Sequence, residues 1–302
     1  MQPSGDQYSI AALGYTATIS EVGATLRTLH YQGRPLVAGF AVDQIRPVYR
    51  GALLAPWPNR IADGAYEFGG VRHQLPLNEP TRHNALHGLV SWAPWTLLER
   101  SADQVVLGYR LFPQDGYPFR LDFTVTYVLS VDGLTIRLHA HNAGTTEAPY
   151  GCAPHPYLVA GDGKVDDWTL QLPAREYLEV TPDRLLPVRV RSVEGTSFDF
   201  REPRPIGTTF IDHAFTGLEP DQDGRTRARV VAGDGHGVEI SWDSTCSWVQ
   251  VHTADRPEPE LHRSGLAVEP MTCPPDAFNS HIDLVVLAPG ESHQATWTIT
   301  AI

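Results

Sequence analysis

Every second residue in Leu121-Asp122-Phe123-Thr124-Val125-Thr126-Tyr127 is large and apolar, and the residues between are polar. Only a strand with one buried and one wet face satisfies that pattern. After Asp132-Gly133 the alternation resumes, with Leu134, Ile136, Leu138 and Ala140 separated by Thr135, Arg137, His139 and His141. Two such runs about an Asp-Gly turn predict an antiparallel hairpin. Further strands are expected at 15–20, 24–31, 105–112, 238–242, 247–252 and 293–302. Helical spacing is hard to find over any dozen residues, and 25 prolines and 26 glycines interrupt helices while supplying turns. Many short strands joined in this way predict an all-β chain, a sandwich or a barrel. Without internal repeats or low-complexity linkers, residues 1–302 read as one domain, and the polar stretches 220–229 and 254–264 as surface loops.

Charge narrows the function. A formal net charge of −12 argues against nucleic-acid binding, which needs surplus Lys and Arg to neutralise phosphates. No apolar run reaches bilayer length, and residues 1–6 carry neither a basic nor an apolar leader segment. Three widely spaced cysteines, Cys152, Cys246 and Cys273, suit reduced thiols better than a disulfide scaffold. The expectation is a cytoplasmic protein, monomer or homodimer, acting on a small molecule without nucleic-acid or membrane partners.

Several segments break the strand pattern with clustered polar, aromatic and turn residues, the rigid settings in which titratable groups become site candidates. They hold Asn59-Arg60, His87-Gly88, His155-Pro156-Tyr157, Asp212-His213-Ala214-Phe215, and Glu269 followed by Pro275-Asp276. In order and approximate spacing this set resembles the aldose 1-epimerase (galactose mutarotase) family, and it runs over most of the chain. The tail Cys273-Pro274-Pro275-Asp276-Ala277-Phe278-Asn279-Ser280 resembles a bacterial subgroup, some members of which accompany sulfosugar breakdown genes. Pro154-His155-Pro156-Tyr157 stands where the best-known galactose mutarotases have Asn-His-Ser-Tyr.

The resemblance implies a large antiparallel β-sandwich with few short helices, and exchange between the α and β anomers of a free hexose without a cofactor or metal. It makes Glu269 the base for the anomeric hydroxyl and His155 the acid for the ring oxygen. It also makes His87 a second imidazole near that oxygen, and Arg60 and Asp212 holders of sugar hydroxyls, with Asn59 and Tyr157 beside them. The residue types suit the chemistry. Opening a hemiacetal takes a proton from O1 and delivers one to O5; rotation about C1–C2 and reversal of both transfers gives the other anomer. A carboxylate and an imidazole on opposite sides of C1 suffice if their proton affinities are tuned. No electrons move, and no Gly-x-Gly-x-x-Gly turn is present.

Plainer readings accompany each residue. Glu269 in an alternating strand also suits a solvent-facing position, and His155 and His87 suit turn histidines. Arg60 suits a structural ion pair with Asp63, and Asp212 a turn or cap. Trp57, Trp92, Trp95 and Tyr157 suit either core packing or an aromatic face for a sugar. Arg82 and His83 suit an exposed basic loop or contacts to an anionic substituent. His139 and His141 share a strand face at metal-ligand spacing, but Arg137 shares it too and no third ligand is fixed. Cys152-x-x-His155 lacks a second pair. A sugar-binding protein without catalysis, and a metal enzyme built on His139 and His141, are the competing functions.

Overall fold

The computed structural model describes residues 2–302. Its strands form antiparallel sheets and its only α-helix among the described residues is Ala277–Ser280. The sandwich expectation holds. A nine-stranded sheet runs in the order Thr96–Arg100, Gln104–Leu111, Leu121–Ser130, Gly133–Asn142, Ser292–Ala301, Gly237–Trp242, Thr226–Val231, Thr169–Gln171 and Arg204–Pro205. A six-stranded sheet runs Tyr157–Leu158, Leu266–Met271, Trp248–His252, Asp212–Leu218, Ala174–Val180 and Pro187–Ser192. A four-stranded sheet, beginning with Gln7–Ala12, is built from the N-terminal segment.

The alternating run at 121–127 becomes a ten-residue strand whose buried and half-buried positions alternate without exception. It pairs with Gly133–Asn142 in a register that opposes Ser130 and Gly133. The loop therefore consists of Val131 and Asp132, one residue earlier than the Asp-Gly motif suggests. Gly133 instead opens the second strand at φ 106°, where a Cβ would lie 2.2 Å from the Ile299 carbonyl oxygen. Side chains from the inner faces of both large sheets, among them Val125, Ile240, Trp242, Trp297, Phe215, Val249, Val251 and Val268, pack into one core. Burying apolar area of this kind is the main drive to fold, about 25 cal/mol for each Å² removed from water.

Two loop expectations change. Residues 226–229 belong to the strand Thr226–Val231, where Ala228 and Val230 alternate into the core. The stretch 254–264 is irregular as expected, yet Ala254 and Arg263 are buried in it. Arg263 is held by Asp166 (2.8 Å) and Asp255 (2.9 Å), which anchors the segment. All three cysteines are free and buried. No described helix is long and apolar enough to cross a membrane.

Candidate active site

The six-stranded sheet has one face in the core and a second that carries polar groups. Period two explains the division. In Leu266–Met271, Leu266 and Val268 point into the core, so Glu269 must point the other way. In Trp248–His252, Val249 and Val251 face the core, leaving Gln250 and His252 on Glu269's side. Register then aligns them, with Gln250 opposite Glu269 and His252 opposite Asp212. The result is a polar row across three strands. His155 arrives from a separate short strand, Ala153–His155, paired with Ala52–Leu54.

Above this row lies a cavity of about 670 Å³, within the range of roughly 300–1,000 Å³ usual for small-molecule sites. Asn59, Arg60, His87, His155, Tyr157, Asp212 and Glu269 all line it. Seven residues spread over 210 positions of sequence thus share one hollow. Glu269 is 2% exposed, which removes the solvent-facing alternative.

His155 and Glu269 are in contact: Nε2 lies 3.4 Å from Oε1. The expectation of two groups on opposite sides of a carbon is corrected, since they stand side by side. Two oxygens bonded to one acetal carbon are close neighbours, so an adjacent pair can address both from one flank. Glu269 Oε2 and His155 Nδ1 are buried without partners, as are Gln250 Oε1 and both ring nitrogens of His252. Buried polar atoms are normally satisfied, and the four residues that carry these unfilled valences all line the cavity.

Electrostatics follow from burial. Desolvation pushes the Glu269 carboxyl well above the usual carboxylate range, and the Asp212 charge adds to that while Arg60 opposes it. Desolvation lowers His155 to about 3, with His252 contributing. His87 is likewise lowered, by burial first and then by His155 and Arg60. For Asp212 burial acts upward, but His252, Arg60 and a hydrogen bond from Gln250 Nε2 (2.7 Å) outweigh it and hold the carboxylate below its ordinary value. Two carboxyls in one cavity are therefore driven apart, Asp212 to the charged form and Glu269 to the neutral one.

The remaining expected residues have distinct placements. The backbone N–H of Asn59 donates to His87 Nδ1 (3.2 Å), so neutral His87 carries its proton on Nε2. Asn59 Oδ1 accepts from Arg60 (3.1 Å). Arg60 does not pair with Asp63, which binds Arg184 instead (2.8 Å). Its partner is Glu79, through Nε to Oε2 (2.9 Å) and Nη2 to Oε1 (3.1 Å). Arg82 and Asn84 complete that carboxylate's shell. Removing Arg60 leaves Glu79, in a mostly buried position, with Arg82 and Asn84 as its remaining partners. We expect Arg60→Met to lower unfolding free energy by about 1–2 kcal/mol, read from urea midpoints, with Glu79→Gln in the same chain restoring part of it.

Tyr157 lines the cavity with its ring, because its hydroxyl already donates to the Val48 carbonyl (3.2 Å). Trp57 and Trp95 are core residues, and Trp92 is half exposed under the Arg46 guanidinium. The aromatic lining comes from Tyr49, Tyr157 and Phe210. Arg82 reaches the cavity, whereas His83 is exposed. His139 and His141 stay on the nine-stranded sheet and line no part of the cavity. No group of three potential ligands able to hold a metal occurs among the described residues. Sequence reasoning missed Tyr49, Glu79, Gln250, His252 and Arg256. Of these, Gln250 and His252 carried a signal, as polar alternates in the otherwise apolar run Trp248–His252.

Comparison with known proteins places this geometry in context. The family model described as aldose 1-epimerase matches residues 6–300. The uncharacterized protein YihR of Escherichia coli K12 is 38% identical over 300 residues, covering 99% of this chain and 94% of that one. Galactose mutarotase of Mus musculus is 31% identical over 332 residues, covering 98% and 92%. Among solved structures, the GalM/aldose epimerase homologue from C. elegans superposes with a TM-score of 0.87 at 24% identity, over 98% of both chains.

Proposed function

The chain belongs to the aldose 1-epimerase family, and on that premise we propose that it interconverts the α and β anomers of a free hexose with Glu269 and His155 as the proton-transfer pair. The observation that carries this reading is the 3.4 Å contact between the two groups on the wall of a cavity shared with Arg60, His87 and Asp212. With the pair's single proton on His155, the Glu269 carboxylate takes the O1 proton while the imidazolium protonates O5. Ring opening then leaves a carboxyl and a neutral imidazole. Burial favours that second arrangement, so the site is matched to the open-chain state, and reversal on the other aldehyde face closes the ring. Asp212 accepts from sugar hydroxyls, Arg60 and the Nε2–H of His87 donate to them, and Asn59 orients both donors. The proposal includes a single domain spanning the chain; its three buried free thiols suit the cytoplasm.

The test is magnetisation transfer between α and β anomeric protons over a panel of neutral, phosphorylated and sulfonated aldoses. Exchange no faster than in buffer for every sugar would refute an enzyme and leave a binding protein.

One observation favours an anionic hexose, such as a sulfosugar, within that panel. Arg256 lines the cavity beside His252, its Nε is buried without a partner, and no carboxylate among the described residues pairs with it. A cation at the cavity wall with no carboxylate partner suits an anionic substituent. Arg256→Gln is then expected to raise KM for the anionic sugar about tenfold or more and to leave KM for its neutral counterpart within about twofold. Equal effects on both sugars would remove the anionic reading.

A further inference from the structure

Behind His155 stands a set of rings and cations that the proton chemistry above does not use. The imidazole lies 5.2 Å from the Tyr157 ring at 21° and 6.3 Å from the Tyr49 ring at 20°. Each tyrosine carries a guanidinium over its face, Arg46 at 5.9 Å from Tyr49 and Arg50 at 5.7 Å from Tyr157. Both arginines are buried. Their hydrogen bonds go to neutral oxygens, from Arg46 to Thr25 Oγ1 and the Ser91 carbonyl, and from Arg50 to the Gly39 carbonyl and Ser264 Oγ. Each leaves its Nε unsatisfied. Two buried cations without counter-ions are a cost that folding alone does not require.

The segment between them is strained as well. Val48 and Tyr49 both adopt positive φ, 42° and 59°, a region unfavourable for any side chain and most of all for a β-branched one. Such strain persists only where surrounding contacts over-determine it. Here Arg46 and Arg50 pin both ends, and the Tyr157 hydroxyl holds Val48 from below. What the strained loop delivers is the Tyr49 ring, set edge-on to His87 at 4.8 Å and near-parallel to His155.

We propose that Arg46, Tyr49 and Arg50 are positioning residues for His155: the two guanidiniums hold the strained loop and the Tyr157 face in place, and the near-parallel rings fix the imidazole plane with Nε2 on Glu269. This rests on the reading of His155 as the proton donor. The other groups facing His155 do not replace the stack. His252 and Arg256, from the neighbouring strand and the loop after it, oppose protonation alongside Arg46, and His87 meets the ring edge-on at 5.2 Å. Glu269 is the one acid in contact, and burial holds it neutral.

The test follows the His155 Cε1–H resonance of the full chain through a pH titration, assigned by its absence in His155→Gln, together with anomer exchange. Arg46→Met removes the charge and keeps the side-chain length. It is expected to lower kcat about three- to tenfold by loosening the loop that aligns the rings, with KM held within about twofold, while the His155 titration moves upward as the nearby charge is lost. Arg46→Lys should restore the wild-type titration. Tyr49→Leu should lower kcat in the same way, and Tyr49→Phe, which keeps the ring, should recover it. If Arg46→Met fails to fold, Arg50→Met and the half-buried Tyr49 carry the kcat comparison. Wild-type titration and kcat in both the Met and Leu variants would reduce the stack to packing and overturn the proposal. A wild-type chain that exchanges no anomer would instead fail the functional reading, while the His155 titration still decides the stack.

Discussion

Glu269→Gln should cut anomer exchange by about 10²–10⁴-fold, the usual contribution of one general acid or base, and at the same time make the protein more stable. The two effects have one cause. The Glu269 carboxyl is held well above its ordinary 4.5 by burial. Between the unfolded and the folded value the folded protein therefore keeps a proton that the unfolded chain has released. The sign follows from that difference: the group's stabilising contribution is complete below the unfolded value and is lost as pH rises toward the folded one. Glutamine has the shape of the neutral acid, cannot ionise, and can still donate to His155 Nε2. Melting temperature should accordingly rise above about pH 5, by about 2 °C for each kcal/mol recovered, and its decline with pH should flatten. A variant that lost activity and stability together would make Glu269 a structural residue. Differential scanning calorimetry beside exchange kinetics separates the cases.

His155→Gln should produce a comparable loss of about 10²–10⁴-fold, and the double variant should be hardly worse than either single one, because the two groups act as a unit. The pH dependence of the wild type follows from the same pair. Burial lowers His155 from 6.5 to about 3 and raises Glu269, so the two titrations are driven apart and the pair keeps one proton over the interval between them. The rate should hold a plateau there, fall on the alkaline side as Glu269 finally ionises, and fall on the acid side once a second proton is bound. Stability behaves differently. A depressed imidazole contributes stability that is complete above 6.5 and is lost as pH falls toward 3, and His155→Gln should remove that acid-side decline. A narrow rate maximum near pH 6.5 would mean an imidazole in contact with water, contrary to its burial.

Much of this was legible in the chain, for reasons that differ by residue. The sandwich followed from strands such as Leu121–Ser130, whose buried face is written in alternate residues. Glu269 and His155 were singled out because each sits in a distinctive local motif, and the fold brings the two into contact. The tail of the Glu269 motif proves to be a brace: the Asp276 N–H donates to the Arg60 carbonyl (2.7 Å), and its Oδ1 accepts from the N–H of Ala62 (2.9 Å). Two motifs more than 200 residues apart thus hold one another. What could not be read is what long-range placement decides. Arg60 found Glu79 rather than the nearer Asp63, because the strand Arg60–Ala62 pairs with Asn84–Leu86 and brings that loop alongside. Tyr49 and Arg256 sit in loops with no periodic signal, and each reaches the cavity only because buried arginines, Arg46 and Arg50 for one and Arg263 for the other, fix those loops from behind. The side-by-side stance of His155 and Glu269 is likewise a product of two sheets meeting, invisible to spacing alone.

The most direct test is equilibrium magnetisation transfer on an aldose with the folded wild type and the folded His155→Gln/Glu269→Gln double variant at equal concentration. Exchange cross-peaks between the two anomeric protons with the wild type, at concentrations where buffer gives none, and their loss in the double variant are the predicted result. Cross-peaks of equal intensity from both proteins would contradict it.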